Sequence, residues 1–498
     1  MIRRPLEQQG RFFLVALAGY FTLHVVLRVI ISPSLDYDEA EQALLGQWLL
    51  PGYTEQPPLY TWIQYLLFLV FGKSVFAISL LKNTLLLLTY LFVFLVARRV
   101  MAAQRLAMLA TLSLLLIPQI GWESQRDMTH TTLAVLAAAV TLWQVLRLLE
   151  QQSLGNYLLL GVILAVGVLS KANYLLFASV LLITLGSFTE GRRVMFHRYM
   201  LLALALAIAL PSGYLLWMTD NRDIVFSATH KFKRATEAFW YKGPSSLVTK
   251  IFFFLTPLWL ILLLLFPQGF RRSTHTAAML PQRLLQRLLL FLAIALLVVV
   301  LAGKVTYVKD RWLQPLLFIV PIVFFARLDQ QAVNERRYLL FSRVVGVAAL
   351  AIYAAFTLRV IAASHSGSFC RLNYPFAAFA VDLRNLGFDQ GILVSDDRFL
   401  AGNLHLQFPK SPAVIPGYRL EEQLDLRPHE QLAVIWHAAQ SPTLPDNLRE
   451  YLAGSLALRA DEAKIHVLSQ PYLFGRGETI ALAVLLLPLP TPHGDLPP

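Results

Sequence analysis

Asp36, Asp38, Glu39 and Glu41 crowd into six consecutive positions at the end of an apolar run. Carboxylates gathered beside hydrocarbon-seeking residues suit one chemistry above others: a general base that takes the proton from an attacking hydroxyl. The carboxylate-rich stretch opens at Leu35-Asp36-Tyr37-Asp38-Glu39-Ala40 and runs on to Gly52-Tyr53-Thr54-Glu55-Gln56-Pro57-Pro58-Leu59-Tyr60-Thr61-Trp62. Helix capping is the plainer account, with Asp36 as N-cap and Glu39 completing a variant of the capping box. That account leaves Asp38 unexplained. Asp38 and Glu41 stand three apart, which puts both on one helix face along the membrane surface. Gln56-Pro57-Pro58 sets an extended approach to a further helix, with Pro58 in its first turn. Tyr60, Trp62 and Tyr65 on that helix suit the headgroup level of a bilayer. The alternative, a short span here, would invert every later loop.

Cations with matching chemistry stand elsewhere. Arg126 and Asp127 precede an apolar run, where Asp127 serves equally well as a helix cap or a partner for Arg126. Lys171 lies within the apolar stretch Val168-Leu169-Ser170-Lys171-Ala172-Asn173-Tyr174. A cation at that depth takes a partner or an anionic ligand, or snorkels to the interface. Lys304, Lys309 and Arg311, with Asp310 among them, form a third group suited to phosphate or to plain solvation. Deprotonating a hydroxyl needs the carboxylates, and a departing phosphate needs the cations.

These residues require elements to hold them, and composition says which. At 498 residues, 57% hydrophobic and a mean hydropathy of +0.57, the chain is a polytopic helical membrane protein. The net charge of +13 does not form a nucleic-acid surface. It resides instead in short loops: Arg98/Arg99/Arg105, Arg192/Arg193/Arg198, Arg271/Arg272/Arg283/Arg287 and Arg336/Arg337/Arg343. Basic short loops mark the cytoplasmic side. Cys370, the one cysteine, excludes an internal disulfide and a cysteine-built zinc site. The first apolar run, about Phe12–Ile31, follows Arg3, Arg4 and Arg11 without a convincing cleavage site, and reads as a retained span. Threading outward from a cytoplasmic N-terminus predicts about eleven spans. The segment 32–74 is then external, a polar loop covers Thr219–Lys250, and the last span ends near residue 363. Beyond it, short β-like runs at Gly391–Ser395, Leu432–Trp436 and Ile480–Leu487 alternate with charged or helical stretches such as Asp446–Leu456. The expected fold is an all-α polytopic membrane domain (1–363) with a small extracytoplasmic α/β domain (364–498) and a Pro-rich tail.

Tyr37-Asp38-Glu39-Ala40, Gly52-Tyr53, Gln56-Pro57-Pro58-Leu59, Trp62 and Phe71-Gly72 together resemble the first external loop of the GT-C glycosyltransferases. The likeness is greatest to the branch holding protein O-mannosyltransferases and the lipid A aminoarabinose and galacturonic acid transferases. Asp127, Leu169-Ser170-Lys171 and Arg311-Trp312-Leu313-Gln314-Pro315 also resemble recurring elements of that branch. The resemblance implies a membrane glycosyltransferase that moves a sugar, with inversion, from a polyprenyl-phosphate donor. The acceptor would be an envelope lipid, glycan or protein at the external face of the inner membrane. It implies Asp38 as base, with Glu39 or Asp127 orienting the acceptor or a cation. Lys171, Arg126, Lys309 and Arg311 would hold the lipid phosphate, and Tyr53, Gln56 and Tyr60 would line the substrate site. Gln56 departs from the family, standing where the aminoarabinose enzymes carry a phosphate-binding lysine, and Lys309-Asp310-Arg311 is not their motif. No cofactor and no metal site is legible. The rival readings are a flippase of lipid-linked sugars and a glycan ligase or polymerase. A transporter would place its ionisable residues near mid-span, whereas here they gather at one rim.

Overall fold

The computed structural model describes residues 6–226, 237–270, 279–329, 333–426, 431–458 and 464–489. Arg3, Arg4, Arg271, Arg272 and the Pro-rich tail lie outside these. Backbone amides in hydrocarbon find no water, so apolar segments close their hydrogen bonds internally as helices. Among the described residues, five helices are long and apolar enough to cross a bilayer: Gln9–Ile31, Val75–Val100, His130–Glu150, Leu280–Ala302 and Glu335–Ile361. Three pairs pass the same test but bend: Gln104–Leu116 with Gln119–Asp127 by 72°, Met200–Ala209 with Ser212–Asp220 by 49°, and Phe239–Phe254 with Leu258–Leu265 by 61°. Each break contains a proline, at Pro118, Pro211 and Pro257. Proline removes an amide donor and crowds the preceding turn, so the bends have a cause in sequence. Leu59–Phe71, Leu154–Val168, Asn173–Gly186 and Gln314–Phe325 are apolar but shorter.

The first predicted span, about Phe12–Ile31, falls within Gln9–Ile31, and the last, ending near 363, falls on Glu335–Ile361, while two local readings need correction. The apolar sequence from about Leu106 to Ile120 reads as one span, the third, but the chain turns at Pro118 into a π-helical stretch, Gln119–Glu123. The stretch Thr219–Lys250 is not loop to its end, since a helix starts at Phe239 and continues to Phe254.

The chain divides into two compact units. One comprises Met1–Leu23, Glu55–Tyr60 and Lys82–Tyr353. Its helices are apolar on more than one face. In Leu280–Ala302, Leu284, Leu288, Leu292, Leu296 and Val300 are buried at helical spacing, while Leu290, Ile294, Leu297 and Val298 are exposed. An exposed row of that kind is what a lipid-facing helix presents. Close packing in this unit depends on small residues. A Cβ on Gly161 would lie 2.6 Å from the Ala203 carbonyl oxygen, so glycine lets Leu154–Val168 approach Met200–Ala209.

The other unit comprises His24–Thr54, Thr61–Leu81 and Ala354–Pro498. Its sheet joins β1 (Ile392–Ser395), β2 (Ala413–Val414), β3 (Gln431–His437), β4 (Ile465–Pro471) and β5 (Thr479–Pro488) in the order β2-β1-β3-β5-β4. The first three strands are parallel and the last two antiparallel to their neighbours, with Leu393 opposite Ala433 and Val434 opposite Leu485. β1 and nearly all of β3 are buried, which explains their unbroken apolar runs. The expected strands and the Asp446–Ser455 helix are present, joined by β2 and β4. The segment that carries the carboxylates belongs to this unit, against the same core as Phe399, Leu400 and Trp436.

Candidate functional site

Asp36 caps the helix Tyr37–Leu45, and Glu39 closes a capping box by accepting the Asp36 amide at 3.1 Å. The Arg28 guanidinium donates to both Glu39 oxygens, at 2.6 Å for the shortest contact, and to the Ser32 and Ser34 carbonyls at 2.9 and 2.6 Å. This pair is almost fully buried, at 4% and 1% exposure. Such burial is tolerable only because the guanidinium and both carboxylate oxygens are hydrogen-bonded. Asp36 also accepts from Arg359 at 2.8 Å and from Arg371 at 3.3 Å. Glu41 pairs with Arg398 and accepts from the Tyr418 hydroxyl at 2.9 Å. Burial, and after it the Glu41 carboxylate, raise the Tyr418 pKa far above its ordinary range, so that hydroxyl stays a donor. The Tyr37 ring carries two guanidinium groups, Arg398 at 4.2 Å and Arg371 at 4.5 Å. Asp38, in the first turn, is half-buried.

Neighbouring contacts hold this helix rigid. The Leu35 amide donates to Asn403 Oδ1 at 2.7 Å, and Thr61 donates to Gln42 at 2.9 Å. A Cβ on Gly402 would lie 1.9 Å from the Ala40 carbonyl oxygen, so the helices Tyr37–Leu45 and Arg398–Gln407 meet nearly backbone to backbone. Tyr53 is buried, its hydroxyl donating to Trp48 O at 2.6 Å and accepting from the Leu50 amide at 3.0 Å. Burial pushes its pKa up to about 12. The tyrosine locks the turn that follows the carboxylate helix.

The remaining candidates belong to the other unit, where four segments singled out by sequence are tied into one rim. The Leu59 amide donates to Leu169 O at 3.2 Å, and the Tyr60 ring lies 5.5 Å from His130. Lys171, half-buried, donates to Thr131 Oγ1 at 2.6 Å. Asn173 Nδ2 donates to Trp312 O at 3.3 Å. Gln314 Nε2 reaches Gln119 O at 2.7 Å and Met128 Sδ at 3.0 Å. Gln56, Tyr60, Asp127, Lys171, Lys309 and Arg311 therefore lie on segments that share contacts. Gln56, Asp127 and Lys309 are half-buried, Tyr60 is buried, and Arg126 and Arg311 are exposed. Arg126 pairs with Glu123 at 2.7 Å, and Thr129, not Asp127, occupies the N-cap position of the following helix. Asp310 pairs with Lys250 at 3.2 Å between the two flanking cations. Among the described residues, no group of three His, Cys, Asp or Glu gathers as a metal site.

Sequence reasoning missed Arg28, Arg359, Arg371 and Arg398. Two of them were within reach, since Arg28 and Arg359 interrupt apolar helices and a cation there requires a partner. Arg371 and Arg398 lie more than 300 residues from their carboxylates, at separations of 335 and 357, and carried no local signal.

Residues 55–217 match the family model described as dolichyl-phosphate-mannose-protein mannosyltransferase. Lipopolysaccharide core galacturonosyltransferase RgtB of Rhizobium johnstonii is 35% identical over 473 residues, 93% of this chain and 94% of that protein. RgtA of the same organism, also named a lipopolysaccharide core galacturonosyltransferase, is 31% identical over 477 residues, 94% and 95% of the two chains. In fold, the chain resembles ArnT from Cupriavidus metallidurans, crystallised with undecaprenyl phosphate. The TM-score is 0.61 at 14% identity, with 94% of this chain and 97% of that one covered. Identity at this level over nearly the whole length, on a shared fold, decides the matter: the chain belongs to the GT-C membrane glycosyltransferases, in the family that holds the lipopolysaccharide core galacturonosyltransferases.

Proposed function

We propose that this enzyme transfers a galacturonic acid residue from a polyprenyl-phosphate donor to a lipopolysaccharide core acceptor at the extracytoplasmic face of the inner membrane. The observation that carries this reading is the 35% identity, across nearly both full lengths, to a protein named for that transfer. The ArnT of like fold was crystallised with undecaprenyl phosphate, which supports a polyprenyl phosphate as the carrier.

In the proposed reaction Asp38 takes the proton from the acceptor hydroxyl as that oxygen bonds to the anomeric carbon. The bond from carbon to the phosphate oxygen breaks, its electron pair leaves with the lipid phosphate, and the anomeric configuration inverts. Asp36, Glu39 and Glu41 are buried, while Asp38 sits half-buried in the first turn, within reach of a substrate, which supports its assignment as base. Glu39 acts as a positioning residue through Arg28. Lys171, Lys309, Arg311 and Arg126 are assigned to the lipid phosphate, where charge-assisted contacts stabilise the leaving group. Asp127 orients the acceptor, and Gln56 and Tyr60 line the substrate site. About eleven crossings, with the α/β domain outside, complete the proposal.

The decisive measurement is mass spectrometry of lipopolysaccharide from cells with and without this protein. Core species one uronic acid lighter are expected on deletion. Unchanged core, with the loss falling on lipid A, a glycan or a protein, would overturn the acceptor assignment.

A further inference from the structure

We propose that Arg371 reads the carboxylate of the transferred sugar and so sets the donor preference of the enzyme. The inference rests on the uronate donor proposed above. That donor carries two anionic points, the phosphate and the sugar carboxylate, so a second cation is required beside the sugar ring. Four arginines surround the carboxylate helix, and their exposures separate them. Arg28, Arg359 and Arg398 are 4%, 20% and 22% exposed, whereas Arg371 is 47% exposed. Its guanidinium stacks 4.5 Å above the Tyr37 ring and 6.0 Å from the Phe399 ring, which fixes its plane. Tyr37 and Asp36 thus hold the Arg371 guanidinium at the first turn of the helix that carries the proposed base, and the carboxylate of a uronate lies one ring-width from its anomeric carbon.

The charge balance also permits the contact. Arg371 donates to Asp36 at 3.3 Å, but Asp36 keeps Arg359 at 2.8 Å. A sugar carboxylate that shares or draws away Arg371 therefore leaves no buried aspartate uncompensated. Guanidinium presents its donors in a planar fork that matches a carboxylate, which an ammonium does not reproduce.

The test compares two donors that differ only at the terminal carbon, polyprenyl-phosphate galacturonate and polyprenyl-phosphate galactose. The galactose donor is scored as a competing inhibitor if it is not turned over. Arg371→Gln should lower kcat/KM for the uronate donor roughly ten- to hundredfold, the worth of one charge-assisted contact. Use or binding of the neutral donor should stay within a few-fold, and Arg371→Lys should fall between. Asp36→Asn, which still caps the helix, should keep the preference. A parallel loss for both donors would overturn the proposal, placing Arg371 in support of Asp36 alone. An unchanged donor ratio with a raised KM for the core acceptor would also overturn it, assigning the arginine to an anion on the acceptor. A wild-type enzyme that does not favour the uronate donor would overturn the proposed donor itself. A wild type that favours it, with an Arg371→Gln variant that still does, would overturn this inference alone.

Discussion

Asp36, Asp38, Glu39 and Glu41 show how one residue type divides its work within a single turn and a half of helix. Asp36 and Glu39 cap and anchor, Glu41 binds Arg398, and Asp38 is assigned the proton. Asp38→Asn keeps size and hydrogen bonding but cannot accept a proton, so turnover should fall by ~10²–10⁴-fold. Donor binding should persist. Asp36→Asn keeps the cap but removes the charge that Arg359 and Arg371 share, so it should lower stability while leaving the rate of the folded enzyme far less affected than Asp38→Asn does. A dead Asp36 variant beside a working Asp38 variant would reverse the assignment and make Asp127 the next candidate. Lys171→Ala removes the ammonium that Thr131 holds, and donor KM should rise roughly ten- to hundredfold if that charge binds the lipid phosphate. Unchanged donor dependence in a purified assay would return Lys171 to a purely structural contact.

The carboxylate helix owes its position to the helix Arg398–Gln407 behind it. Gly402→Ala introduces a Cβ where the Ala40 carbonyl stands, so the two helices must separate. Overpacking of this sort costs about 1–3 kcal/mol, and turnover should fall with it as Asp38 shifts. Gly454→Ala is the control, because a Cβ there meets nothing within 4 Å and helix propensity favours alanine. A lowered melting temperature for the first variant and an unchanged or raised one for the second are expected. The same helix carries His405, whose Nδ1 lies 2.8 Å from Ser411 O and whose Nε2 lies 2.7 Å from Lys73 Nζ. Burial, and then the Lys73 charge, push its pKa down from 6.5 to about 3. The unfolded chain therefore binds a proton below pH 6.5 that the folded chain refuses. Stability should fall as pH drops from 6.5 toward 3, by up to about 1.4 kcal/mol per pH unit. His405→Asn, which keeps a donor toward Ser411, should flatten that slope in thermal unfolding between pH 7 and 4.

For the whole molecule, side of the membrane is the quantity to measure. A reporter fused after Arg99 or Arg193 should read cytoplasm, and one after Ser74 or Pro498 should read exterior. A cytoplasmic Pro498 would sink the span count and remove the α/β domain from the side of the proposed chemistry. The bent helix pairs bear directly on this count. By length and composition, five helices can cross, or up to 8 if each bent pair is one span, and three shorter apolar helices, Leu154–Val168, Asn173–Gly186 and Gln314–Phe325, supply the rest of the eleven-span proposal, with Leu59–Phe71 left at the interface.

Apolar run length and loop arginines determined the class of this protein by themselves, because hydrocarbon admits no unpaired backbone and cytoplasmic loops accumulate basic residues. The capping box at Asp36 was equally legible, being a contact between residues three apart. So were the bends, had Pro118, Pro211 and Pro257 been given their usual weight. The strands of the α/β domain showed as short apolar runs, except β2 and β4: β2 has two residues, and most positions of β4 are only partly covered. The arginine frame around the carboxylates was not legible. Asp36 meets Arg359 across 323 residues and Glu41 meets Arg398 across 357, and a charge pair at such separation leaves no periodicity to read. Only tertiary structure decides which arginines meet these carboxylates, because pairing depends on distance in space: Arg359 stands in the last turn of the last long helix, and Arg398 lies beyond it.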